Sequence, residues 1–230
     1  MVQTMLALLT IVSTVVLFIF LNKLYLKFSN PFLLPFFTGT IITCVVLLTF
    51  DIPYEAYMDG GQWISKMLGP AVVALAFPLY NQRALVFKYK YSILTSLVVA
   101  LLSGLVSIFA LLKLTGMSHE YMLTALPKSL TTPVAMQVSE VIGGVPPLTV
   151  VLVMIAGFTG AILGPMIFKI AKIDTAISRG VAMGSASHGV GLTKLKEYGE
   201  EDLSIGSLSM GLSAVFGAFI IPLFVLYFLT

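Results

Sequence analysis

The polar residues best suited to bind a ligand lie in one short, otherwise apolar stretch. Pro127-Lys128-Ser129-Leu130-Thr131-Thr132-Pro133 places a lysine and three hydroxyl residues between two prolines. Pro127 predicts the end of one half-helix, and Thr132 followed by Pro133 is typical of an N-cap and the first residue of the next. A helix N-terminus favours anions. The predicted anion-binding residues are Lys128, Ser129, Thr131 and Thr132. In the alternative, the lysine extends to a membrane interface and the threonines only cap a helix.

A second polar cluster, Gly184-Ser185-Ala186-Ser187-His188-Gly189-Val190-Gly191, is rich in small residues. Small residues allow close helix packing and unwound backbone, which supplies amide and carbonyl ligands. We therefore add Ser185, Ser187 and His188 to the predicted substrate-binding residues. Because histidine titrates near neutral pH, His188 is also a candidate for proton coupling. The alternative is a neutral histidine that forms a hydrogen bond within packed helices.

Two further residues are weaker candidates for this chemistry. Glu140 shares a helix face with Gln137, three residues earlier, and is either a coupling site or an interfacial carboxylate beside the Gly143–Gly144 turn. Asn81 follows a short apolar segment and would contribute to substrate binding if that segment lines the same cavity.

The sequence contains no pattern of an enzyme, a metal site or a cofactor site. Its two histidines, His119 and His188, are 69 residues apart, and Cys44 is the single cysteine. No zinc spacing, H-E-x-x-H motif or G-x-S-x-G motif is present. Ser187 and His188 are neighbours, but adjacent side chains on a helix point about 100° apart and no carboxylate accompanies them. We expect a protein that is not an enzyme.

The composition indicates that the chain folds in a bilayer. Of 230 residues, 58% are hydrophobic and only 23 are charged, which is too few to cover a soluble fold of this size. Seven crossings of about 20 residues would use most of the apolar residues, so we expect a single membrane domain over residues 1–230 without an extramembrane domain. The net charge of +3 is spread over short loops and does not indicate nucleic-acid binding.

The apolar runs predict an all-α polytopic protein of about seven to eight segments, some broken or re-entrant. Five charge-free runs are long enough to cross a membrane: Thr4–Leu21, Pro31–Phe50, Tyr91–Leu112, Val145–Phe168 and Ile205–Thr230. Two runs of 14 residues, Met67–Tyr80 and Gly180–Thr193, are too short for a helical crossing. The stretch His119–Gly144 contains prolines and charges that lipid would not tolerate, so we expect it to enter and leave by the same face.

Loop charges predict which loops share a side of the membrane. Segments 22–30, 81–90 and 169–179 are net positive and should be cytoplasmic, whereas 51–66 and 194–204 are net negative and should lie outside. An offset of 111 residues aligns Gly69 with Gly180 and Ser96 with Ser207. With these loop assignments the two copies would run in opposite directions, which suggests the inverted repeat of many secondary transporters.

The same motifs resemble those of the LrgB/CidB family of bacterial membrane proteins, over nearly the whole chain. They are Asn30-Pro31-Phe32, Ile52-Pro53-Tyr54-Glu55-Ala56-Tyr57, Gly60-Gly61, Phe77-Pro78-Leu79-Tyr80, Leu126-Pro127-Lys128-Ser129, Thr131-Thr132-Pro133, Gly143-Gly144, Arg179-Gly180 and Gly184-Ser185-Ala186-Ser187-His188-Gly189.

The resemblance implies one of two functions in a bacterial plasma membrane. Members of the family act as antiholin-like partners of small holin-like LrgA/CidA proteins in the control of murein hydrolase activity and autolysis. Related proteins move small monocarboxylates such as pyruvate, and a plastid relative carries glycolate and glycerate. We expect a carrier of small carboxylates with a separate holin-like partner, and the regulatory role without transport is the alternative. Self-association as a homo-oligomer stays open.

Overall fold

The chain is a membrane protein built from α-helices. A computed structural model describes residues 2–28, 33, 35–67, 70, 73, 77, 80 and 83–229. Within these residues all regular structure is helical, as the composition predicts, and four helices are long and apolar enough to cross a membrane. The chain divides into two compact units, Met1–Ala71 and Val72–Thr230, which are described separately.

The first unit includes the helices α1 (Val2–Phe28), α2 (Pro35–Thr49) and α3 (Tyr54–Lys66). Pro35 begins α2 because proline lacks an N–H group and fits only the first turn of a helix. The described helix has 15 residues and spans about 22 Å; residues 31, 32 and 34 lie outside the described residues, so a full crossing over Pro31–Phe50 stays a prediction. Helix α3 packs on α1, where Gly60 lies against the backbone of Ala7.

Three long helices form the frame of the second unit. They are α4 (Arg83–Leu114), α7 (Pro146–Ile170) and α9 (Glu200–Phe228). All three confirm predicted crossings. Helices α4 and α9 run parallel: Ile93 packs with Ile205 near their starts, and the ring centroids of Phe109 and Phe224 are 5.9 Å apart near their ends.

A first hairpin enters this frame between α4 and α7. It consists of α5 (His119–Ala125), a 3₁₀ turn (Leu126–Ser129) and α6 (Thr132–Val141). Its two limbs meet at the base, where Thr149 on α7 contacts both of them. The prediction that 119–144 enters and leaves by the same face is confirmed. Each limb has at most 11 residues, which reaches only about halfway through a bilayer.

A second hairpin is formed by α8 (Ala176–Leu195), which breaks at His188. The short limb after the break folds back on the first, because Gly191 lies against Met183 and Ser187. Both limbs reach the same part of α9, where Gly206 contacts Leu195 on one limb and approaches the carbonyl of Gly180 on the other. The predicted broken segment is therefore confirmed, and it too is re-entrant.

The loops on either side of the second hairpin lie at the same end of the unit. The Nε of Arg179 is 2.6 Å from Oδ1 of Asp202, although loop charges predict that 169–179 and 194–204 face opposite sides. That prediction is wrong. The prediction fails because Lys and Arg residues determine the orientation of a membrane protein, whereas Asp and Glu residues contribute little. Segment 194–204 was assigned by its acidic residues, yet it contains Lys194 and Lys196.

The two copies of the predicted repeat should run in opposite directions, but this opposite orientation is found between the two hairpins rather than between α4 and α9. Ser96 on α4 and Ser207 on α9 are paired by the 111-residue offset, but these helices are parallel, so the predicted reversal is wrong for them. Gly69, the partner proposed for Gly180, lies outside the described residues. The two hairpins instead enter from opposite ends of the second unit, because the first follows the end of α4 and the second follows the end of α7.

Candidate functional site

The tips of the two hairpins line one open cavity of 810 Å³ in the second unit. The first hairpin contributes Lys128 and Ser129, and the second contributes Ser185 and Ser187. The structure therefore brings together four of the residues that the two sequence clusters predict as substrate-binding. The remaining walls come from the middle of α4 and α7 and from Ile221 on α9.

Lys128 is the one charged residue among those that line this cavity. It is half-buried and lies in the 3₁₀ turn at the tip of the first hairpin. In the described part of the chain the two ion pairs are Arg179–Asp202 and Lys194–Glu197, so no carboxylate there pairs with Lys128. An unpaired ammonium group within a membrane protein is costly, and an anion in the cavity would reduce that cost.

The helix start at this tip lies one residue earlier than the sequence predicts. Thr131 is the N-cap of α6 and Thr132 is its first residue, which places Pro133 second. The side chain of Thr131 makes no capping hydrogen bond, and its Oγ1 is buried without a partner. Neither threonine lines the cavity, so their role as ligands stays a prediction.

Three buried hydroxyl residues hold the base of the first hairpin against α7. Thr149 Oγ1 donates to Ser139 Oγ at 2.7 Å or to the carbonyl of Thr124 at 2.9 Å. The Oγ1 of Thr124 accepts the backbone N–H of Val145 at 2.9 Å. The sequence clusters do not reveal this network, because its members are 10 to 25 residues apart and each is a single hydroxyl in an apolar run.

The second hairpin brings Ser187 into close contact with α7. A side chain at Gly160 would collide with the Oγ of Ser187, and one at Gly164 would collide with Met183. Glycines at these positions thus form a groove on α7 that receives the hairpin. Ser185 lies two residues earlier and donates to the carbonyl of Val181 at 2.7 Å, so its oxygen can still accept a bond from a ligand.

The side chain of His188 is directed at α7 and does not line the cavity. Its Nε2 lies 2.9 Å from the carbonyl oxygen of Val153, and the residue is buried. The backbone has φ 38° and ψ −140°, which is sparsely populated for a residue other than glycine. This placement matches the alternative reading of a histidine hydrogen-bonded within packed helices.

The other predicted coupling and binding residues lie away from this cavity. Glu140 is exposed near the end of α6, beside the Gly143–Gly144 turn, and Gln137 on the same helix is also exposed. This is the interfacial position given above as the alternative for Glu140. Asn81 lies outside the described residues.

Three hydroxyl residues that line the cavity were not predicted from the sequence. Ser103 and Ser107 lie on α4 and Thr159 lies on α7. Each donates to a carbonyl of its own helix, as Ser107 does to Gly104 at 2.9 Å, and keeps lone pairs for a ligand. A possible signal was the four-residue spacing of Ser103 and Ser107, which puts both on one face of an apolar helix.

No group of three or more His, Cys, Asp or Glu side chains among the described residues could hold a metal ion. The chemistry of the cavity is therefore that of one ammonium group with several hydroxyl groups. Such a set can bind a small anion through charge and hydrogen bonds. Its lining residues include no histidine or carboxylate that would activate a serine.

Comparisons with known proteins identify relatives of nearly full length. The model of the LrgB-like family matches residues 14–227. The chain is similar to the uncharacterized protein YxaC of Bacillus subtilis, with 46% identity over 98% of each chain. It is also similar to the holin-like protein CidB of Staphylococcus epidermidis, with 36% identity over 96% of this chain and 97% of that one. The CidB protein of Staphylococcus aureus matches to the same extent. No solved structure matches.

Proposed function

Because this chain belongs to the LrgB-like family, we propose that it is a secondary transporter that moves small monocarboxylates through the cavity between its two hairpin tips. The substrates are acids of the size of pyruvate and glycolate. The protein acts in the plasma membrane of a bacterium, together with a separate small membrane protein of the holin-like LrgA/CidA type.

The observation that carries this proposal is the unpaired Lys128 in a hydroxyl-lined cavity. Lys128 is the one charged residue in the lining, and the described residues offer it no carboxylate. Within the membrane a carboxylate that binds there gains a charge-assisted hydrogen bond and neutralises the lysine. Ser129 from the same tip and Ser187 from the other tip then provide hydrogen bonds to the rest of the substrate.

The two half-depth hairpins favour a carrier over an open pore. They enter from opposite ends, and their tips meet the same cavity, so access from each side depends on the packing of one hairpin. Broken helices that meet at mid-depth from opposite sides are typical of alternating-access transporters. Rings of charge, which many pores use for selectivity, are absent from the cavity lining.

The distribution of basic residues orients the second unit in the membrane. The end that contains the start of α4, the end of α7 and the base of the second hairpin has eight: Arg83, Lys88, Lys90, Lys169, Lys172, Arg179, Lys194 and Lys196. The opposite end has Lys113 alone. By the positive-inside rule we assign the basic end to the cytoplasm.

Uptake into proteoliposomes tests the proposal. Labelled pyruvate and glycolate are offered to vesicles that contain this protein alone, or with its LrgA/CidA-type partner, with and without a proton gradient. We expect saturable uptake that unlabelled substrate inhibits. Uptake equal to that of empty vesicles under all of these conditions would contradict the proposal.

The names of the relatives favour a second candidate function. Two similar proteins are named holin-like, which fits an antiholin-like regulator of murein hydrolase export or activity, and hence of autolysis, without transport. This function would need the partner and the exposed helix faces rather than the cavity.

Lysis assays separate the two functions. A cavity variant, Lys128→Met, is compared with variants of exposed apolar residues such as Phe219 and Leu223. If the cavity variant retains control of autolysis while the exposed-face variants lose it, regulation is the function. If loss of uptake and loss of lysis control occur together in the cavity variant, transport underlies both.

A further inference from the structure

His188 lies at the one break of α8 and occupies a backbone conformation that suits glycine better. Its φ of 38° is positive, and residues on both sides of it are helical. Gly189 follows directly, and a side chain there would meet open space. A histidine in the strained position, with glycine beside it, requires an interaction of the imidazole ring that offsets the strain.

That interaction is a hydrogen bond to the backbone of α7. The Nε2 of His188 is 2.9 Å from the carbonyl oxygen of Val153. Because a carbonyl oxygen only accepts, Nε2 must carry the proton and donate it. The bond joins residues 35 positions apart and ties the break in the second hairpin to a helix that crosses the membrane.

The surface of α7 is shaped to receive the ring. A Cβ at Gly157 would lie 2.7 Å from Cε1 of His188 and 2.9 Å from Cγ2 of Val190. One turn further along α7, Gly160 leaves room for Ser187, the residue before the histidine. His188 thus fits against Gly157 and Ser187 fits against Gly160. His188 is also held by the hydrogen bond.

We infer that His188 is a positioning residue, whose N–H···O bond to Val153 holds the break of the second hairpin against α7 so that Ser187 and Ala186 face the cavity. The ring does not carry protons for transport. This inference rests on the proposed function only in its claim that the cavity binds substrate; the positioning itself is a property of the fold.

The test compares variants of His188 by the chemical accessibility of the tip. Cys44, the native cysteine, is exposed, so Cys44→Ser provides the background and Ser187→Cys places one thiol at the tip, where the native serine is buried against α7. The rate of modification by a small methanethiosulfonate reagent is measured in proteoliposomes. His188→Gln retains an N–H donor near the position of Nε2 and does not titrate, whereas His188→Ala removes the donor.

We expect the thiol at position 187, which is buried while the tip is held, to react at least about fivefold faster with His188→Ala, the effect of one lost hydrogen bond. The rate with His188→Gln should stay within about twofold of the background rate. Gly157→Ala is a second variant, because it displaces the ring while alanine favours the helix. It should also raise the rate, and the neighbouring control Gly189→Ala should not. Size-exclusion chromatography shows that each variant is folded.

Equal rates for His188→Ala and the background would overturn the inference, as would equal rates for His188→Gln and His188→Ala. Loss of gradient-driven uptake by His188→Gln, with its labelling rate unchanged, would also overturn it and assign proton transfer to the ring. The labelling assay needs no substrate. If the labelling results hold but the wild-type protein moves no carboxylate, the proposed function fails and the positioning role stands.

Discussion

Arg179 at the start of α8 and Asp202 at the start of α9 form a two-point ion pair. The Nε of Arg179 lies 2.6 Å from Oδ1 of Asp202, and Nη2 lies 3.1 Å from Oδ2. The guanidinium group also donates to the carbonyl of Asp174 at 2.6 Å and lies over the ring of Tyr198. One arginine thus connects the loop between α7 and α8, the start of α8 and the start of α9.

The first prediction concerns the stability that this ion pair provides. Asp202→Ala leaves the guanidinium group without its carboxylate at a position where the aspartate side chain is only 5% exposed. We expect a loss of about 3 kcal/mol in unfolding free energy. Unfolding of the purified protein in detergent, followed by circular dichroism during denaturant titration, measures it.

A matched control is the second ion pair, Lys194–Glu197, whose glutamate side chain is 59% exposed. Removal of that carboxylate with Glu197→Ala should cost no more than about 0.5 kcal/mol, because exposed pairs contribute little. Equal losses for the two alanine variants would show that the Arg179–Asp202 pair has no special structural role.

The second prediction concerns the orientation of the last helix. Helix α9 begins at the basic end of the second unit and ends at the other, so its C-terminus should lie outside the cell. Alkaline phosphatase fused after Thr230 should be active, whereas the same enzyme inserted after Lys172 should be inactive. Inactive alkaline phosphatase after Thr230, together with fluorescence of a green fluorescent protein fused at the same position, would place the C-terminus inside the cell and the basic end outside. That result would contradict the assignment.

The sequence predicts some features of the second unit and not others. Prolines, charges and paired glycines identified 119–144 as a re-entrant segment, and the break in α8 followed from its short, glycine-rich run. The side of segment 194–204 was not predictable from net charge, since the contact that determines it joins Arg179 to a residue 23 positions away. The 111-residue offset failed for a related reason: similar apolar helices carry little information about direction.

The third prediction concerns the hydroxyl network at the base of the first hairpin. Thr149→Val keeps the shape of the side chain but leaves Ser139 Oγ and the carbonyl of Thr124 without its donor. We expect the unfolding free energy to fall by about 1 kcal/mol, the usual contribution of one such hydrogen bond between membrane helices. The same denaturant titration in detergent measures this loss. Thr149→Ser should retain most of the stability. The exposed Thr95, which bonds only its own helix, provides a control with Thr95→Val.

The fourth prediction concerns the groove on α7. Gly160→Val places a branched side chain where Ser187 Oγ lies, so the tip of the second hairpin must shift. We expect at least about a tenfold loss of uptake, the consequence of a small displacement at a binding site. Gly189→Ala lies on the same hairpin with free space around it and should retain uptake. Normal uptake by Gly160→Val would mean that this contact does not define the transport site.

The candidate site shows why sequence clusters identify some ligands and miss others. Lys128 and Ser187 were predictable because each lies among glycines, prolines and hydroxyl groups that mark a broken helix. Ser103 lies in an apolar stretch of α4, so its contribution depends on which face of α4 the hairpins approach. His188 was singled out for its chemistry, but the direction of its ring depends on a carbonyl of α7, which no local pattern reveals.

The most direct test of the central claim is the uptake of labelled pyruvate by proteoliposomes that contain the wild-type protein, Lys128→Met or Lys128→Arg at equal amounts. Methionine removes the charge at similar length, and arginine retains it. The proposed site predicts saturable uptake by the wild type, at least about a tenfold lower uptake by the methionine variant, and partial recovery by the arginine variant. Equal saturable uptake by the wild type and the methionine variant would contradict an anion site at Lys128.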